Sequence, residues 1–283
     1  MENVKVAKTA GFCFGVQRAV DMVYEAADRE SVPVYTWGPI IHNEIVVKDM
    51  ESKGVSVLKE HEGALPTEGC VIVRSHGVTE ETYNSLKASG LKVVDATCPF
   101  VKKIHRIVEQ ETLKGRHVII VGNRAHPEVI GIRGWAKGPC DVVATLEDFK
   151  ALNLPKDAPL TIVAQTTFNF DYFQELVEIA CFLGYDVEVT NTICNATRER
   201  QREAADLAGR VDVMLVVGSK ESSNTQKLYD ICKGKCSNTY YIEKPEDLVT
   251  VQISPGSCVG ITAGASAPHN IIQEVSDYVR IKF

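Results

Sequence analysis

The sequence predicts an α/β fold of three repeated α/β domains with mostly parallel sheets, and three observations support this prediction. Cysteine recurs in one sequence context at Cys13, Cys98 and Cys194, at domain-sized intervals. Short β-branched stretches alternate with stretches whose apolar residues are spaced as on one helix face. Strands that alternate with helices form parallel sheets. The predicted domain boundaries are 1–97, 98–193 and 194–283.

Each repeat opens with a predicted strand, a turn that carries the cysteine, and an amphipathic helix. The opening strands are 5–7, 92–95 and 186–189, and the helical apolar patterns cover 16–27, 101–108 and 204–208. A second strand follows each helix and ends at a glycine; these strands are 34–37, 118–121 and 213–217. Two more strands complete each repeat, at 55–58 and 71–73, at 142–144 and 162–164, and at 239–242 and 259–262.

Polar side chains recur at matching offsets after these strands. Four residues beyond the three glycines stand His42, His126 and Ser222, and six residues beyond them stand Glu44, Glu128 and Asn224. The last strands lead into His76, Thr166 and Ser266. In open parallel sheets, ligands bind beyond the carboxyl ends of the strands. If the three repeats point these ends inward, they form one shared central pocket. That arrangement is a hypothesis, because a sequence repeat need not be arranged symmetrically.

Composition limits the function classes. The chain has 283 residues, a net charge of −6 and nine cysteines. The acidic balance argues against a nucleic-acid binder, and no run approaches the ~18 apolar residues of a membrane span. The first residues lack the apolar core of a secretory signal, so we expect a cytoplasmic protein. In a reducing compartment, cysteines in a special setting are metal ligands or catalysts more often than disulfide partners.

The three repeated cysteines each precede a helix, where the helix dipole favours a thiolate. Three converging thiolates suit an iron–sulfur cluster and leave one iron of a four-iron cube open to substrate. One alternative is that these cysteines are small buried residues, which the threefold recurrence disfavours. Zinc is another, but its ligands usually come in close pairs. Cys232 and Cys236 have nearly that spacing without a partner pair, so we interpret them as an incidental helix end.

The polar loop residues are donors next to helix N-termini, a setting that suits a phosphate or diphosphate. They are His42, His76, His126, Ser222, Ser223, Asn224 and Ser266. Each alone is equally explained as a helix cap or a structural hydrogen bonder. Glu128, in an apolar pocket, would have a raised pKa and could deliver a proton, or it could simply favour the helix dipole, as we interpret Glu44. Thr166 could orient a substrate hydroxyl, and we expect the charged run 198–203 to be a solvated helix face.

Seven motifs in order identify a family resemblance. They are GFCFGV at 11–16, RSHGV at 74–78, DATCP at 95–99, HPE at 126–128, ICNAT at 193–197, GSKESSN at 218–224 and GASAP at 264–268. Over essentially the whole chain, the sequence resembles the 4-hydroxy-3-methylbut-2-enyl diphosphate reductases of the non-mevalonate isoprenoid route. One position departs from the family pattern, because Asn123 stands where we expect a histidine.

The resemblance implies a pseudo-threefold trefoil of three α/β domains around a central 4Fe–4S cluster. It implies that the cluster is held by Cys13, Cys98 and Cys194, and that the seven polar loop residues above contact the diphosphate. It further implies that Thr166 holds the substrate hydroxyl region and that Glu128 serves as the catalytic proton relay.

The activity implied by the resemblance is reductive removal of the allylic hydroxyl, giving isopentenyl and dimethylallyl diphosphate. Two electrons would come from ferredoxin or flavodoxin, since the chain lacks a G-x-G-x-x-G nicotinamide fingerprint. We expect no nucleic-acid or membrane partner; the sequence does not fix the oligomeric state, and a monomer is the expectation. Two alternatives stay open: a quinolinate-synthase-like iron–sulfur lyase, which should carry arginines for carboxylates, and a non-catalytic iron–sulfur sensor, which should carry a partner-binding module.

Overall fold

The strands and helices follow the predicted alternation. The computed structural model describes residues 3–59 and 64–282. The strands within these residues are β1 (Val4–Val6), β2 (Val34–Trp37), β3 (Val55–Leu58), β4 (Cys70–Val73), β5 (Lys92–Asp95), β6 (His117–Val121), β7 (Cys140–Val143), β8 (Pro159–Ala164), β9 (Asp186–Val189), β10 (Val213–Val217), β11 (Thr239–Ile242) and β12 (Val259–Ala263). The α-helices are α1 (Phe14–Arg29), α2 (Glu44–Ser52), α3 (Glu80–Ala88), α4 (Pro99–Leu113), α5 (Pro127–Arg133), α6 (Leu146–Ala151), α7 (Phe170–Phe182), α8 (Asn195–Ala208), α9 (Ser223–Lys233) and α10 (His269–Lys282), with a 3₁₀ helix at Pro245–Thr250.

The described strands form three sheets of four, and every pairing is parallel. Their orders are β3-β2-β4-β5, β7-β6-β8-β9 and β11-β10-β12-β1. The three orders are equivalent, since each sheet has at one edge the strand that follows its glycine-ended strand in the chain (β3, β7 or β11) and at the other edge the strand that precedes a cysteine (β5, β9 or β1). The predicted α/β class with three parallel sheets is confirmed.

One hydrogen bond recurs at the same place in all three sheets, at the glycine that follows the inner strand. The backbone N–H of the glycine after the inner strand donates to the carbonyl of the last residue of its edge neighbour. The pairs are Gly38 to Leu58 at 2.8 Å, Gly122 to Val143 at 2.8 Å, and Gly218 to Ile242 at 2.9 Å. Strand pairing is therefore extended by one residue in each sheet, and the loop leaves from the same position each time.

The N-terminal strand pairs with the C-terminal part of the chain. β1 lies beside β12, with Val4 opposite Val259, and so completes the sheet of β10, β11 and β12. The chain divides into two compact units. One contains residues 1–17, 42–48 and 194–283, and the other contains residues 18–41 and 49–193. The predicted boundaries after 97 and 193 remain predictions; both fall at the link between an edge strand and the helix that follows a cysteine.

Helices cover both faces of the inner strands, which is why these strands are continuous apolar runs rather than alternating ones. In β6, Ile119 and Val121 pack with α7, whereas Val118 and Ile120 pack with α4 and α5. The same division occurs in β10, where alternate residues belong to separate clusters. Across the part of the chain that the structure describes, no helix combines the length and apolar character needed to cross a membrane.

The buried Thr225 explains two glycines at the carboxyl edge of the third sheet. A Cβ at Gly218, whose φ is +137°, would lie 2.8 Å from Thr225 Oγ1. A Cβ at Gly264 would overlap the same hydroxyl. The first turn of α9 therefore packs directly against the ends of β10 and β12, and only glycine leaves room for it.

We expect Gly264→Ala to destabilise the fold through this overlap. Overpacking of about 2 kcal/mol corresponds to a fall of roughly 4–8 °C in the thermal midpoint for a domain of this size. Gly234→Ala is the matched control, because its φ is −67° and the nearest atoms to a new Cβ are 3.6 Å away. Adding Thr225→Ala to Gly264→Ala should recover part of the loss; no recovery would show that the overlap is not the cause.

Candidate active site

In the unit of residues 18–41 and 49–193, the loops that carry Cys98 and His76 are bonded to each other. The Cys98 backbone N–H donates to the Ser75 carbonyl at 3.0 Å. Ser75 is itself held, because its Oγ donates to the Ile40 carbonyl at 2.9 Å. Cys98 occupies the N-cap position of α4, and Pro99 begins that helix. The thiol thus lies at the positive end of a helix dipole, next to the loop of His76.

Asp95 organises the turn before Cys98. Its Oδ1 accepts from the Thr97 backbone N–H at 2.9 Å, and its Oδ2 lies 2.8 Å from Lys102 Nζ. Burial alone would raise the pKa of Asp95, but the hydrogen bonds from Lys102 and Thr97 lower it below its ordinary value. Arg18 adds contacts from its guanidinium to the Ala96 and Thr97 carbonyls, at 3.3 and 3.4 Å. The Cys98 loop is therefore rigidly held.

His126 lies against His76, with ring centroids 5.4 Å apart and the rings nearly perpendicular. His126 is the N-cap of α5, and its Nδ1 accepts from the Glu128 backbone N–H at 3.2 Å. An accepting Nδ1 carries no proton, so the neutral imidazole has its proton on Nε2. The Nε2–H is thus a donor whose orientation the helix cap determines.

Glu128 is 2% exposed and bound on both oxygens by one residue. Its Oε1 accepts from the Thr166 backbone N–H at 2.6 Å, and its Oε2 from Thr166 Oγ1 at 2.7 Å. Burial raises the pKa of Glu128 to about 7, and the two hydrogen bonds from Thr166 oppose that rise only in part. A carboxyl with this pKa holds or releases a proton near neutral pH.

Glu44, at the matching position of the first repeat, has a different environment. It is exposed in the first turn of α2 and lies 2.8 Å from Lys48 Nζ, which lowers its pKa. Lys48 lies one turn further along the same helix, so this is an ordinary surface ion pair. The two glutamates, which stand at matching sequence offsets, therefore have different environments in the structure.

The other unit, of residues 1–17, 42–48 and 194–283, contains Cys13 and Cys194. Cys13 directly precedes α1, and its backbone N–H donates to the Ala265 carbonyl at 3.4 Å. Cys194 occupies the N-cap position of α8, the position that Cys98 has in α4. Each of the three predicted cysteines thus stands at a helix N-terminus.

Asn43 holds the Ser266 loop, and sequence reasoning missed it. Its Nδ2 donates to the Ser266 carbonyl at 2.9 Å, while its Oδ1 accepts from the Val46 backbone N–H at 3.1 Å. The second bond caps α2, and Asn is a preferred capping residue, so that part could have been predicted. The bond to Ser266 joins residues 223 positions apart, so only the folded chain reveals that it links the loops of Ser266 and His42.

Ser222, Ser223 and Asn224 form the N-terminus of α9. Ser222 is the N-cap, and its Oγ accepts from the Thr225 backbone N–H at 3.4 Å. Asn224 and Ser266 are 4% and 5% exposed. Within residues 3–59 and 64–282, Asn224 Nδ2 and Ser266 Oγ have no hydrogen-bond partner. Buried polar atoms without partners are rare, and two in a predicted anion site are available for a ligand.

Six of the nine cysteines fall into two groups by environment. Cys13, Cys98 and Cys194 are half-buried at helix N-termini, and no disulfide links any of the nine, all of which lie in described segments. Burial raises the pKa of the Cys140 and Cys232 thiols to about 12 and also raises that of Cys70. A helix N-terminus favours the thiolate that ligates iron, so the position of Cys13, Cys98 and Cys194 fits an iron–sulfur cluster.

Cys232 and Cys236 are core residues. Their sulfurs face backbone carbonyls, with Cys232 Sγ 3.8 Å from the Ala204 carbonyl oxygen and Cys236 Sγ 3.5 Å from that of Asp212. Both belong to the apolar cluster between α8, α9 and β10. Their spacing therefore follows from helix packing.

The expectation that 198–203 is a solvated helix face is confirmed for Arg198, Glu199 and Arg202, which are exposed, and is wrong for the rest of the run. Arg200 and Gln201 are buried, and Glu203 accepts hydrogen bonds from Lys8 and Thr9. A run of charges predicts exposure only when tertiary partners are absent, and here the loop before Cys13 packs on the helix.

Asn123, the departure from the family pattern, closes its own loop. Its Oδ1 accepts from the Ala125 backbone N–H at 3.0 Å, and its backbone N–H donates to Gln165 Oε1 at 3.1 Å. Its carbonyl accepts from the His126 backbone N–H at 2.9 Å. Asn123 thus forms an Asx turn that fixes the backbone leading into His126.

Comparisons with known proteins agree over the whole chain. The chain is 42% identical over 280 residues to the 4-hydroxy-3-methylbut-2-enyl diphosphate reductase of Caldanaerobacter subterraneus subsp. tengcongensis, covering 98% of this chain and 96% of that protein. It is 44% identical over 278 residues to the enzyme of the same name from Geobacter metallireducens, covering 98% and 97%.

Two solved structures of such reductases match as well. The E-1-hydroxy-2-methyl-but-2-enyl-4-diphosphate reductase of Plasmodium falciparum is 29% identical with a TM-score of 0.90, covering 99% of this chain and 87% of that one. A second, described as the terminal enzyme of the non-mevalonate pathway, is 43% identical with a TM-score of 0.71, covering 99% and 100%.

The fold and these relatives make the chain an α/β oxidoreductase. It belongs to the LytB protein family, whose model matches residues 4–280. The resemblance inferred from the seven motifs is confirmed, as is the predicted enzyme class. The relatives support the reductase function and give no support to the lyase or sensor alternatives.

Glu128 should make stability depend on pH. Folding raises its pKa from 4.5 to about 7, so the folded chain binds more protons than the unfolded chain between these values. The contribution of Glu128 to the free energy of unfolding, about 3 kcal/mol, is complete below pH 4.5 and is lost as pH rises through 7. Thermal denaturation at pH 5 and pH 8 should therefore show a smaller fall for Glu128→Gln than for the wild type. Glu44→Gln is the control and should keep the wild-type difference; equal slopes in all three would refute the buried titration.

Proposed function

We propose that this chain catalyses reductive dehydroxylation of 4-hydroxy-3-methylbut-2-enyl diphosphate to isopentenyl and dimethylallyl diphosphate. The reaction consumes two electrons and two protons: the allylic C–O bond breaks, the oxygen leaves as water, and a C–H bond forms at one end of the allyl system. The family match over residues 4–280 supports this reaction. The observation that carries it is the buried Glu128–Thr166 pair.

Glu128 and Thr166 are suited to proton delivery. With a pKa of about 7, the Glu128 carboxyl is partly protonated at neutral pH. Thr166 Oγ1 lies 2.7 Å from Glu128 Oε2, so a proton can pass from the carboxyl through this hydroxyl. We propose that Thr166 Oγ1 orients the leaving hydroxyl and that Glu128 supplies the proton with which it departs as water.

The diphosphate is proposed to bind to the polar loop residues. These are His42, His76, His126, Ser222, Ser223, Asn224 and Ser266. The buried Asn224 Nδ2 and Ser266 Oγ support this role, since burying them is unfavourable unless a ligand completes their hydrogen bonds. The N-terminus of α9 adds a favourable dipole for an anion.

Cys13, Cys98 and Cys194 are proposed to hold a 4Fe–4S cluster. When bound, such a cluster supplies one-electron transfer and a Lewis-acidic iron. The three half-buried thiols at helix N-termini support this donor set, whereas Cys70, Cys140 and Cys232, whose thiol pKa values burial raises, do not suit it.

The electrons are proposed to come one at a time from ferredoxin or flavodoxin. Nine cysteines without a disulfide support a reducing compartment, and we propose the cytoplasm. We propose that the chain acts as a monomer without nucleic-acid or membrane partners.

An anaerobic assay with a reduced dye and the allylic diphosphate tests the proposed function. A reductase oxidises two equivalents of a one-electron dye for each substrate consumed and forms both diphosphate products. A lyase would oxidise no dye, and a sensor would consume no substrate. Either result would refute the proposal.

Glu128→Gln should retain the cluster and lose most turnover. Loss of a general acid lowers the rate by roughly 10²–10⁴-fold, so kcat should fall by at least ~100-fold with little change in KM. Glu44→Gln is the matched control and should keep wild-type kcat. A kcat close to wild type in Glu128→Gln would remove this carboxyl from the proton path.

Cys98→Ser should abolish stoichiometric cluster binding. Iron and sulfide per chain, measured after anaerobic purification, should fall from about four of each to well below one, because a serine hydroxyl is a poor cluster ligand. The exposed Cys181 provides the control, and Cys181→Ser should bind iron as the wild type does. Full iron content in Cys98→Ser would exclude this residue as a ligand.

A further inference from the structure

Arg200, on α8, joins the segments that contain Cys13 and Cys194. Its Nη2 donates to the Gly11 carbonyl at 2.9 Å, and its Nη1 donates to the Ala263 carbonyl at 2.7 Å. Gly11 lies two residues before Cys13, and α8 begins directly after Cys194. One guanidinium therefore connects the helix after one cysteine to the loop before another, across 189 residues of sequence.

The Ala263 carbonyl extends this connection to the Ser266 loop. Ala263 is the last residue of β12, and the next turn contains Ala265, whose carbonyl accepts from the Cys13 backbone N–H. The Cys13 loop is thus bonded to the β12 turn directly at Cys13 and indirectly through Arg200.

Glu203 fixes the same loop one helical turn further along α8. Its carboxylate accepts from the backbone N–H groups of Lys8 and Thr9, both at 2.8 Å, and from Thr9 Oγ1 at 2.6 Å. The two α8 residues therefore bind both kinds of backbone polar group in the Cys13 loop: Glu203 accepts from its N–H groups, and Arg200 donates to one of its carbonyls.

Arg200 is 3% exposed, and burying a guanidinium is unfavourable unless negative charge is near. Its hydrogen-bonded partners are neutral carbonyls, and its Nε has no partner among residues 3–59 and 64–282. Burial lowers the pKa of Arg200, while the Cys13 thiol, the Glu203 carboxyl and the Cys194 thiol, each near enough to interact electrostatically, oppose that change.

We propose that Arg200 is a positioning residue that fixes the Cys13 loop against the Cys194 helix and provides a buried positive charge for the thiolates these residues contribute. The inference rests on the proposed function, which assigns both cysteines as cluster ligands. An arginine is needed because its planar fork can reach two carbonyls at once, whereas a lysine supplies charge without that geometry.

Hydrogen exchange on the full-length chain tests the positioning role with or without a cluster. In Arg200→Met, amide exchange over 9–13 should rise at least tenfold, since the bond to Gly11 is lost. Arg200→Lys should show a similar rise, because it lacks the fork. Arg202→Met removes an exposed charge from the same helix and should leave these amides at the wild-type rate. Unchanged exchange in Arg200→Met would overturn the positioning role even if the reductase assay fails.

A redox titration of the reconstituted protein, without substrate, tests the charge. Reduction adds negative charge, so Arg200→Met should lower the one-electron reduction equilibrium constant about tenfold, a shift of about 59 mV to more negative potential. Arg200→Lys and Arg202→Met should stay near the wild type. An unshifted potential in an Arg200→Met variant with a full complement of cluster would overturn the charge role. A wild-type protein that binds a cluster but does not reduce the allylic diphosphate would refute the proposed function and leave the charge role standing.

Discussion

Parallel strand pairing is the constraint on which the rest of the structure depends. In a parallel sheet all strands end at one edge, so every loop that follows a strand emerges there. At this edge of each sheet, the N–H of the glycine after β2, β6 or β10 donates the same hydrogen bond to the neighbouring strand. Each sheet therefore collects polar residues from loops far apart in sequence, while its interior contains apolar side chains on both faces.

Two buried ionisable side chains, Glu128 and Arg200, are each held by specific hydrogen-bond partners. Glu128 is held on both oxygens by Thr166, and Arg200 spans two backbone carbonyls. The protein retains these groups where an apolar side chain would pack without a desolvation penalty. Their chemical properties account for their presence, because Glu128 holds a proton near neutral pH and Arg200 keeps a positive charge near the Cys13 and Cys194 thiols.

Local sequence patterns predicted the elements well because the signals are local. The strands at 34–37, 55–58 and 239–242 begin and end where expected. β8 begins three residues earlier than its predicted start, at Pro159, because tertiary pairing extends the strand: Pro159 lies opposite Asp186 of β9, and Leu160 lies opposite His117 of β6. Arg200 and Asn43 were missed because each has a partner more than 180 positions away, Gly11 for Arg200 and Ser266 for Asn43. A charged run or a helix cap looks the same in sequence whether or not such a partner exists.

The sequence by itself determined the α/β class, the threefold recurrence of cysteine and the family, since periodicity and contiguous motifs need no knowledge of distant contacts. Only the tertiary structure decided that β1 completes the third sheet, that Glu128 is buried while Glu44 faces solvent, and that the helix after Cys194 supports the loop of Cys13. The physical reason is that burial and hydrogen bonding depend on which segments meet after folding, and matching sequence offsets do not specify that.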